Sequence, residues 1–454
     1  MVTKDKPWER LADEHSTERT LCAQRRADVE PLADSETKVL GLMEVDGGTR
    51  DQQKRRLRQL SVGPVLNLLV DTLSRSLICD GVSRSGLTGD AEPAGDQEAL
   101  RTMWEPWEYA GLPTRQTALY REAIIDGASY AVVLPGTPQP RILLLPSSLI
   151  ALDWGGDPTA EWPVAAALLR DDGAPWLYLT STEATDTASG EVTVSHPAGV
   201  CPVVRFAPYA DLSGRCASLI DRLRPAARRY VKTVNDRLSI QHSNSWRVRT
   251  ATGLDDPGDA SQREQQKALL AHGDILTGGD GVQFGSLPET TMSSILDAER
   301  GDLTNLAALA SVPAWSLSSS QLVNLSADAL AEAKSAERGH VQALQRAFGR
   351  SIASLLRLAQ AQVGRTDLAG DYALRIDWRD TEARSLSQAA DALGKLTQSL
   401  GVPPELLWQR IPGVSPQEAE EWRSWAQAHP DALTQYAQAL APQAGEGSDN
   451  PLKS

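Results

Sequence analysis

The chain has 454 residues, 45 of them basic and 59 acidic, for a net charge of −14. That length exceeds what one hydrophobic core serves and predicts two or three domains. The acidic balance argues against a protein that coats nucleic acid by charge. From Met1 to about Gly111 the pattern is mainly helical, with a basic cluster at Lys54, Arg55, Arg56 and Arg58 and an amphipathic run from Val62 to Ile78. Gly86–Gln97 reads as a turn-rich break. Between Thr114 and Phe206, RQTALYREAIIDGASYAVVLPG predicts a helix running into a strand, and RILLLP, VAAALLR, WLYLT and EVTVSH predict further strands. Turn signals at Gly136, Pro138, Gly155, Gly156, Gly173 and Gly190 separate them, the layout of a meandering antiparallel sheet.

Past Arg215 the period changes. Leu219, Leu223, Ala227, Val231, Val234 and Leu238 recur at three and four, the rhythm of one helix face. Pro225 falls inside this pattern and removes a helical hydrogen bond, which predicts a kink or a helix start near it. Trp246–Pro288 reads as short strands and turns. Its GGDG at Gly278–Gly281 lacks the third glycine and following helix of a dinucleotide fingerprint, so it is expected as a turn between strands. Thr291–Val312 is helical again, and Pro313 opens the loop PAWSLSSSQLVNLS. Ser326 suits the N-cap of a long helix, Asp328 favours its positive end, and Gly364 can end it. Those 38 residues would reach about 57 Å, with Val341, Leu344, Phe348, Ile352, Leu355 and Ala359 as a core-packing stripe. From Asp371 onward one strand, YALRIDW, precedes helices bounded by Pro403, Pro404, Pro412 and Pro430. After Ala441 the composition is that of a disordered tail.

Catalytic signatures are not found. There is no phosphate-binding loop, no H-E-x-x-H and no G-x-S-x-G elbow. The six histidines (15, 196, 242, 272, 340, 429) lack metal-ligand spacing, and Cys22, Cys79, Cys201 and Cys216 form no C-x-x-C pair. The acids Glu418, Glu420 and Glu421 beside Trp422 and Trp425 read as a solvated helix face. No enzyme activity, metal or cofactor is therefore expected. No apolar run approaches the roughly 18 residues of a membrane span. Met1–Arg10 lacks a signal-peptide core, so no membrane association and synthesis in a cytoplasm are expected.

Charge is unevenly placed. Arg215–Arg249 holds nine basic and two acidic residues, whereas Ser286–His340 holds seven acidic and three basic ones. The basic face of the first helix, Arg222, Arg228, Arg229, Lys232 and Arg237, fits either nucleic-acid contact or pairing with the acidic helix of a neighbouring copy. The loop after Pro313 is different: Ser316, Ser318, Ser319, Ser320, Gln321 and Asn324 are small or amide side chains without charge, flanked by Trp315 and Leu317. Such groups permit contact with DNA without the counterion release that makes Lys and Arg grip it. The same composition also describes a flexible surface loop.

The order helix, β insert, helix, proline-started loop and long helix resembles the portal proteins of tailed double-stranded-DNA bacteriophages, in the long-tailed branch. The passages that carry the resemblance are REAIIDGASYAVVLPG, CPVVRFAPYADLSGRCASLIDRLRPAARRYVKTVNDRL, WRVRTATG, VPAWSL and NLSADALAEAKSAERGHVQAL, within roughly Leu57–Asp431. The resemblance implies an α+β portal fold. Residues 1–214 would form a mixed helix and sheet wing, 215–245 a stem helix, 246–290 a small α/β clip and 291–313 a second stem helix. Residues 314–325 would form a tunnel loop, with Trp315, Ser316, Ser318, Ser319, Ser320, Gln321 and Asn324 lining the channel. Residues 326–380 would hold a long helix crossing the wing and a C-terminal wing strand, 381–440 a helical crown, and 441–454 a disordered tail.

It further implies a ring of twelve identical subunits at one capsid vertex in the virion, assembled in the host bacterial cytoplasm. Its partners would be the terminase large subunit, the major capsid and scaffold proteins, the head-tail connector, and double-stranded DNA passing without sequence specificity. Another phage head protein, such as a minor capsid protein, or a multidomain enzyme with an unrecognised site are the alternatives.

Overall fold

The computed structural model describes residues 6–30, 50–84, 94–189, 191–244, 249–252, 283–286, 291–317, 334–379, 386–408, 411, 414 and 416–429. The chain divides into two compact units, Met1–Ile78 with Val82–Ile376, and Cys79–Gly81 with Asp377–Ser454. Helices and antiparallel sheets occupy separate stretches, an α+β fold as expected.

The large unit is layered. Five strands, β4 (Ile150–Asp153), β5 (Ala165–Leu169), β6 (Pro175–Leu179), β7 (Glu183–Asp186) and β8 (Val192–Ser195), form an antiparallel meander in chain order. A second antiparallel sheet has β2 (Ser129–Leu134) between β3 (Arg141–Pro146) and β9 (Val203–Phe206). The sequence pattern predicts one meander; two sheets are present, and β2 and β5 are apolar and buried along nearly their whole length rather than on alternate residues. Ala166 and Leu168 of β5 pack in one core with Tyr130, Val132 and Val203. Their neighbours Ala167 and Leu169 point the other way, onto Leu11 and Trp8 of helix α1 (Pro7–Glu14).

The second face of the three-stranded sheet is covered by helices. Phe206 of β9 lies 6.5 Å from Phe348 between ring centres, and Phe348 lies 4.7 Å from Tyr120. Tyr120 belongs to α6 (Leu112–Asp126), which follows α2 (Ser16–Val29), α3 (Arg50–Ser61), α4 (Val65–Arg75), β1 (Cys79–Arg84) and α5 (Ala94–Tyr109). The sequence pattern did not single out β1, which pairs with β12 (Leu374–Trp378), the strand read from YALRIDW. Between α6 and β2 the chain turns through Gly127 at φ 87°, where a Cβ would stand 2.9 Å from the Cys216 carbonyl oxygen. Only glycine fits that turn.

The helix α7 runs Leu219–Asn244, through Pro225, so it starts six residues before the proline rather than at it. Its successors are the paired strands β10 (Arg249–Thr252) and β11 (Gln283–Ser286), then α8 (Ser293–Leu309). The long helix α9 is described from Ser335 to Val363 and stops at Gly364, φ 82°. Leu344, Phe348, Ile352, Leu355 and Ala359 of its stripe are buried as expected. A short helix, α10 (Thr366–Ala369), leads to β12. The expected cap at Ser326, the GGDG turn and the tail after Ala441 lie outside the described residues.

The small unit carries α11 (Leu386–Leu400) and α12 (Pro416–Ala428). Trp408 meets Trp422 edge to face at 6.2 Å, and Trp425 stacks on His429 at 4.7 Å.

Candidate functional site

The paired helices α7 and α8, their root in the large unit and the loop that leaves α8 are the candidate site. At the root, Arg25 of α2 is buried and binds two other helices as well as its own. Its Nε and Nη2 donate to Asp221 Oδ2 of α7 at 2.9 and 2.8 Å, and its Nη1 donates to Glu18 Oε1 at 2.8 Å and to the Asp126 carbonyl of α6 at 3.0 Å. Arg224 Nε donates to Asp28 Oδ2 at 2.5 Å, and its Nη1 stands 2.8 Å from Asp221. Asp221 is thus gripped from two sides. Asp221, in the first turn of α7, is held by Arg25 from outside the helix and by Arg224 from within it, and Arg224 in turn reaches Asp28, so the start of α7 is tied to α2.

Beside this cluster Asp126 is buried, and its Oδ1 meets no hydrogen-bond donor among the described residues. Burial, helped by the Glu122 charge, pushes its carboxyl up to about 6, against Arg25 and Arg26, which pull it down. The Cys22 thiol is likewise pushed up by burial, which keeps it protonated and unreactive.

Farther along α7, its basic face meets α8 of the same chain. Arg229 Nε donates to Asp302 Oδ1 at 2.6 Å, Thr233 Oγ1 donates to Asp302 Oδ2 at 2.7 Å, and Arg237 pairs with Glu299 at 2.8 Å. Lys232 pairs with Asp236 one turn along α7. Between the helices Val234, Leu306 and Ala307 are buried. Arg222 lies over the Tyr209 ring, 5.1 Å from its centre. Arg228 is exposed and makes no ion pair among the described residues. Of the five basic residues singled out from sequence, Arg229, Lys232 and Arg237 therefore have carboxylates in their own chain.

α8 closes with Ser311 N–H to Ala308 O at 3.1 Å and Val312 N–H to Ala307 O at 3.0 Å. Pro313 and a 3-10 turn, Ala314–Ser316, follow, with Trp315 and Ser316 half-buried. Ser318, Ser319, Ser320, Gln321 and Asn324 lie outside the described residues. Sequence reasoning passed over Tyr209 and His340, whose hydroxyl and Nε2 are 2.8 Å apart beside the end of α8. They are 131 positions apart in the chain, and no local pattern could join them.

Among the described residues no group of three or more His, Cys, Asp or Glu side chains could hold a metal ion, and no helix is long and apolar enough to cross a membrane. No curated protein matches the chain by sequence. Solved structures similar to the chain include one from the neck of an empty gene transfer agent particle computed with C6 symmetry, at 14% identity and a TM-score of 0.47, over 79% of this chain and 95% of that one. Another, from the neck of a native gene transfer agent particle computed with C12 symmetry, is 14% identical with a TM-score of 0.48, over 78% of this chain and 90% of that one. These likenesses are too distant to carry residue roles. The family model described as "Phage portal protein, SPP1 Gp6-like" matches residues 34–429, a span that takes in Asp126, α7, α8 and the loop that leaves α8. The chain belongs to the phage portal protein family.

Proposed function

We propose that this portal protein forms a closed ring, of twelve subunits, at one vertex of a capsid, where it is the channel through which DNA is packaged and later ejected. The observation that carries this reading is the α7–α8 pair: two long helices pinned side by side by Arg229–Asp302 and Arg237–Glu299, with a β insert at the far end. In the ring, α7 and α8 are the stem, β10–β11 belongs to the clip, the sheets and α9 to the wing, and α11–α12 to the crown. Residues 314–325 form the tunnel loop, presenting Trp315, Ser316, Ser318, Ser319, Ser320, Gln321 and Asn324 to DNA.

Portal proteins are generally structural rather than enzymatic, and the machinery that moves DNA is supplied by partners. The terminase large subunit and the head-tail connector dock in turn at the clip, and major capsid and scaffold proteins surround the wing. Assembly takes place in the host bacterial cytoplasm, and the ring persists at the capsid vertex of the virion. Negative-stain microscopy of the purified chain tests the reading. Rings with a central hole are expected; a monomer at micromolar concentration in every salt tried overturns it.

A further inference from the structure

α8 ends without a glycine. Its closing pattern, Ser311 N–H to Ala308 O and Val312 N–H to Ala307 O, places the residue after the cap in the left-handed region. Ser311 occupies it at φ 56°, whereas α9 closes in the same way on Gly364 at φ 82°. A side chain in that conformation is strained, so something outside the helix must hold this terminus. The Ala310 carbonyl, one of the acceptors left over at a helix end, is met by His340 Nδ1 at 3.1 Å. On the opposite edge of the ring, His340 Nε2 stands 2.8 Å from the Tyr209 hydroxyl.

A carbonyl can only accept, so Nδ1 carries the proton. In a neutral imidazole Nε2 is then the acceptor, and the Tyr209 hydroxyl donates to it. Tyr209 lies on the connection between β9 and α7, with Arg222 of α7 over its ring. One histidine side chain therefore ties the end of α8, the first turns of α9 and the approach to α7.

We propose that His340 and Tyr209 are positioning residues of the portal channel: the neutral imidazole bolts together Ala310 and α9, and so fixes where the chain leaves the stem toward Pro313–Leu317. The functional consequence rests on the tunnel-loop reading above; the bolt is a statement about α8 and α9 alone.

Protonation would turn Nε2 into a donor, so the Tyr209 hydroxyl would have to reverse and accept, and its own proton would lose the acceptor that the neutral ring provides. The groups facing the ring are Tyr209, pushed up to about 12 by burial, from the β9–α7 connection, Arg222 from α7, and the Ala310 carbonyl from α8. Glu337 stands one turn earlier on α9. Burial acts most strongly and disfavours the imidazolium, the bond to Ala310 opposes it, and Arg222 adds to burial, so His340 is held below its ordinary 6.5. A base held neutral by folding contributes stability that is present above 6.5 and is lost as pH falls from there through the lower folded value.

Hydrogen exchange of the full chain, followed by mass spectrometry and corrected for intrinsic pH dependence, reads the bolt directly. His340→Leu should accelerate exchange in peptides covering the last turn of α8 through Leu317 on the order of tenfold at pH near 7.5. His340→Gln keeps one donor and one acceptor but cannot ionise. It should match wild type near pH 7.5 and lack the acceleration that wild type shows near pH 5. Tyr209→Phe should lie between wild type and His340→Leu.

Unchanged exchange in His340→Leu, or equal acid acceleration in wild type and His340→Gln, overturns the proposal. Should His340→Leu not fold, the wild-type and His340→Gln comparison decides it alone. The same His340→Leu chain should assemble yet package DNA poorly. Accelerated exchange with normal packaging would leave the bolt standing and remove the channel consequence.

Discussion

Asp126→Asn should stabilise the protein at neutral pH and erase a pH dependence. The Asp126 carboxyl is 3% exposed at the end of α6, and its pKa stands at about 6 against an ordinary 3.8. Between those values the folded chain holds a proton that the unfolded chain releases, so stability falls as pH rises through the interval. A gap of about two units corresponds to ~3 kcal/mol at pH 7, as an upper bound. Asparagine keeps the shape without the charge, but its amide must find an acceptor in a place where Oδ1 already lacks a donor. That reduces the expected gain to about 1–3 kcal/mol at pH 7.5 and to nothing near pH 3.5. Denaturant midpoints of wild type and variant, taken from pH 3.5 to 8, give the difference curve directly. Parallel curves with a constant offset across pH 4–7 would refute the reasoning, because the charge on Asp126 would then not be what folding opposes.

Ser311→Gly relieves the left-handed strain at the end of α8 and should raise stability by about 0.5–1 kcal/mol after the extra unfolded-state entropy of glycine, read as a higher denaturant midpoint. Asp302→Ala removes the acceptor for both Arg229 and Thr233 from a side chain 12% exposed, and should cost about 1–3 kcal/mol in the same assay. A loss under about 0.5 kcal/mol would mean that water replaces the contact. Replacing Ser319 and Ser320 together by Lys adds two positive charges per subunit, roughly 24 if the ring has the twelve subunits proposed above, which should stall DNA in a salt-dependent way while rings still assemble; full packaging would place the loop away from DNA.

Much of this was readable from local pattern. The α6–β2 passage, strands β3, β5, β6 and β8, the stripe on α9 and its stop at Gly364 follow from period and turn chemistry. The second sheet was not, because β5 reads AAALL and is buried on both sides, which gives no alternation to divide one core from another. Pro225 does not mark the helix start, one of the two outcomes it suggested: tertiary anchoring through Arg25, Asp221 and Arg224 holds the residues before it helical despite the lost hydrogen bond. At the candidate site the charges of α7 and α8 were visible, but spacing along a chain cannot say whether an opposite charge belongs to the same copy or the next. His340 and Tyr209 left no signal because each is ordinary in its own segment.

The pairings between α7 and α8 change what the basic run can do. α7 holds six basic and two acidic residues and α8 three acidic and one basic, so the helix pair carries only +2. Arg229, Lys232 and Arg237 already face carboxylates, and Arg224 faces Asp28 and Asp221, which leaves Arg222 and Arg228 for any external anion. Each phosphate neutralised on duplex DNA contributes about −0.9 to the slope of log affinity against log salt. Two cations per subunit therefore predict a slope no steeper than about −2 for one α7–α8 pair, too shallow to hold DNA at physiological salt, which suits a passage through which DNA slides. Titration of an assembly-deficient monomer with duplex DNA over a range of salt measures this. A slope steeper than about −5 would show that the α7–α8 pairs open to bind phosphate. Arg228→Ala should then leave it nearly unchanged, whereas on the present geometry the same substitution halves it.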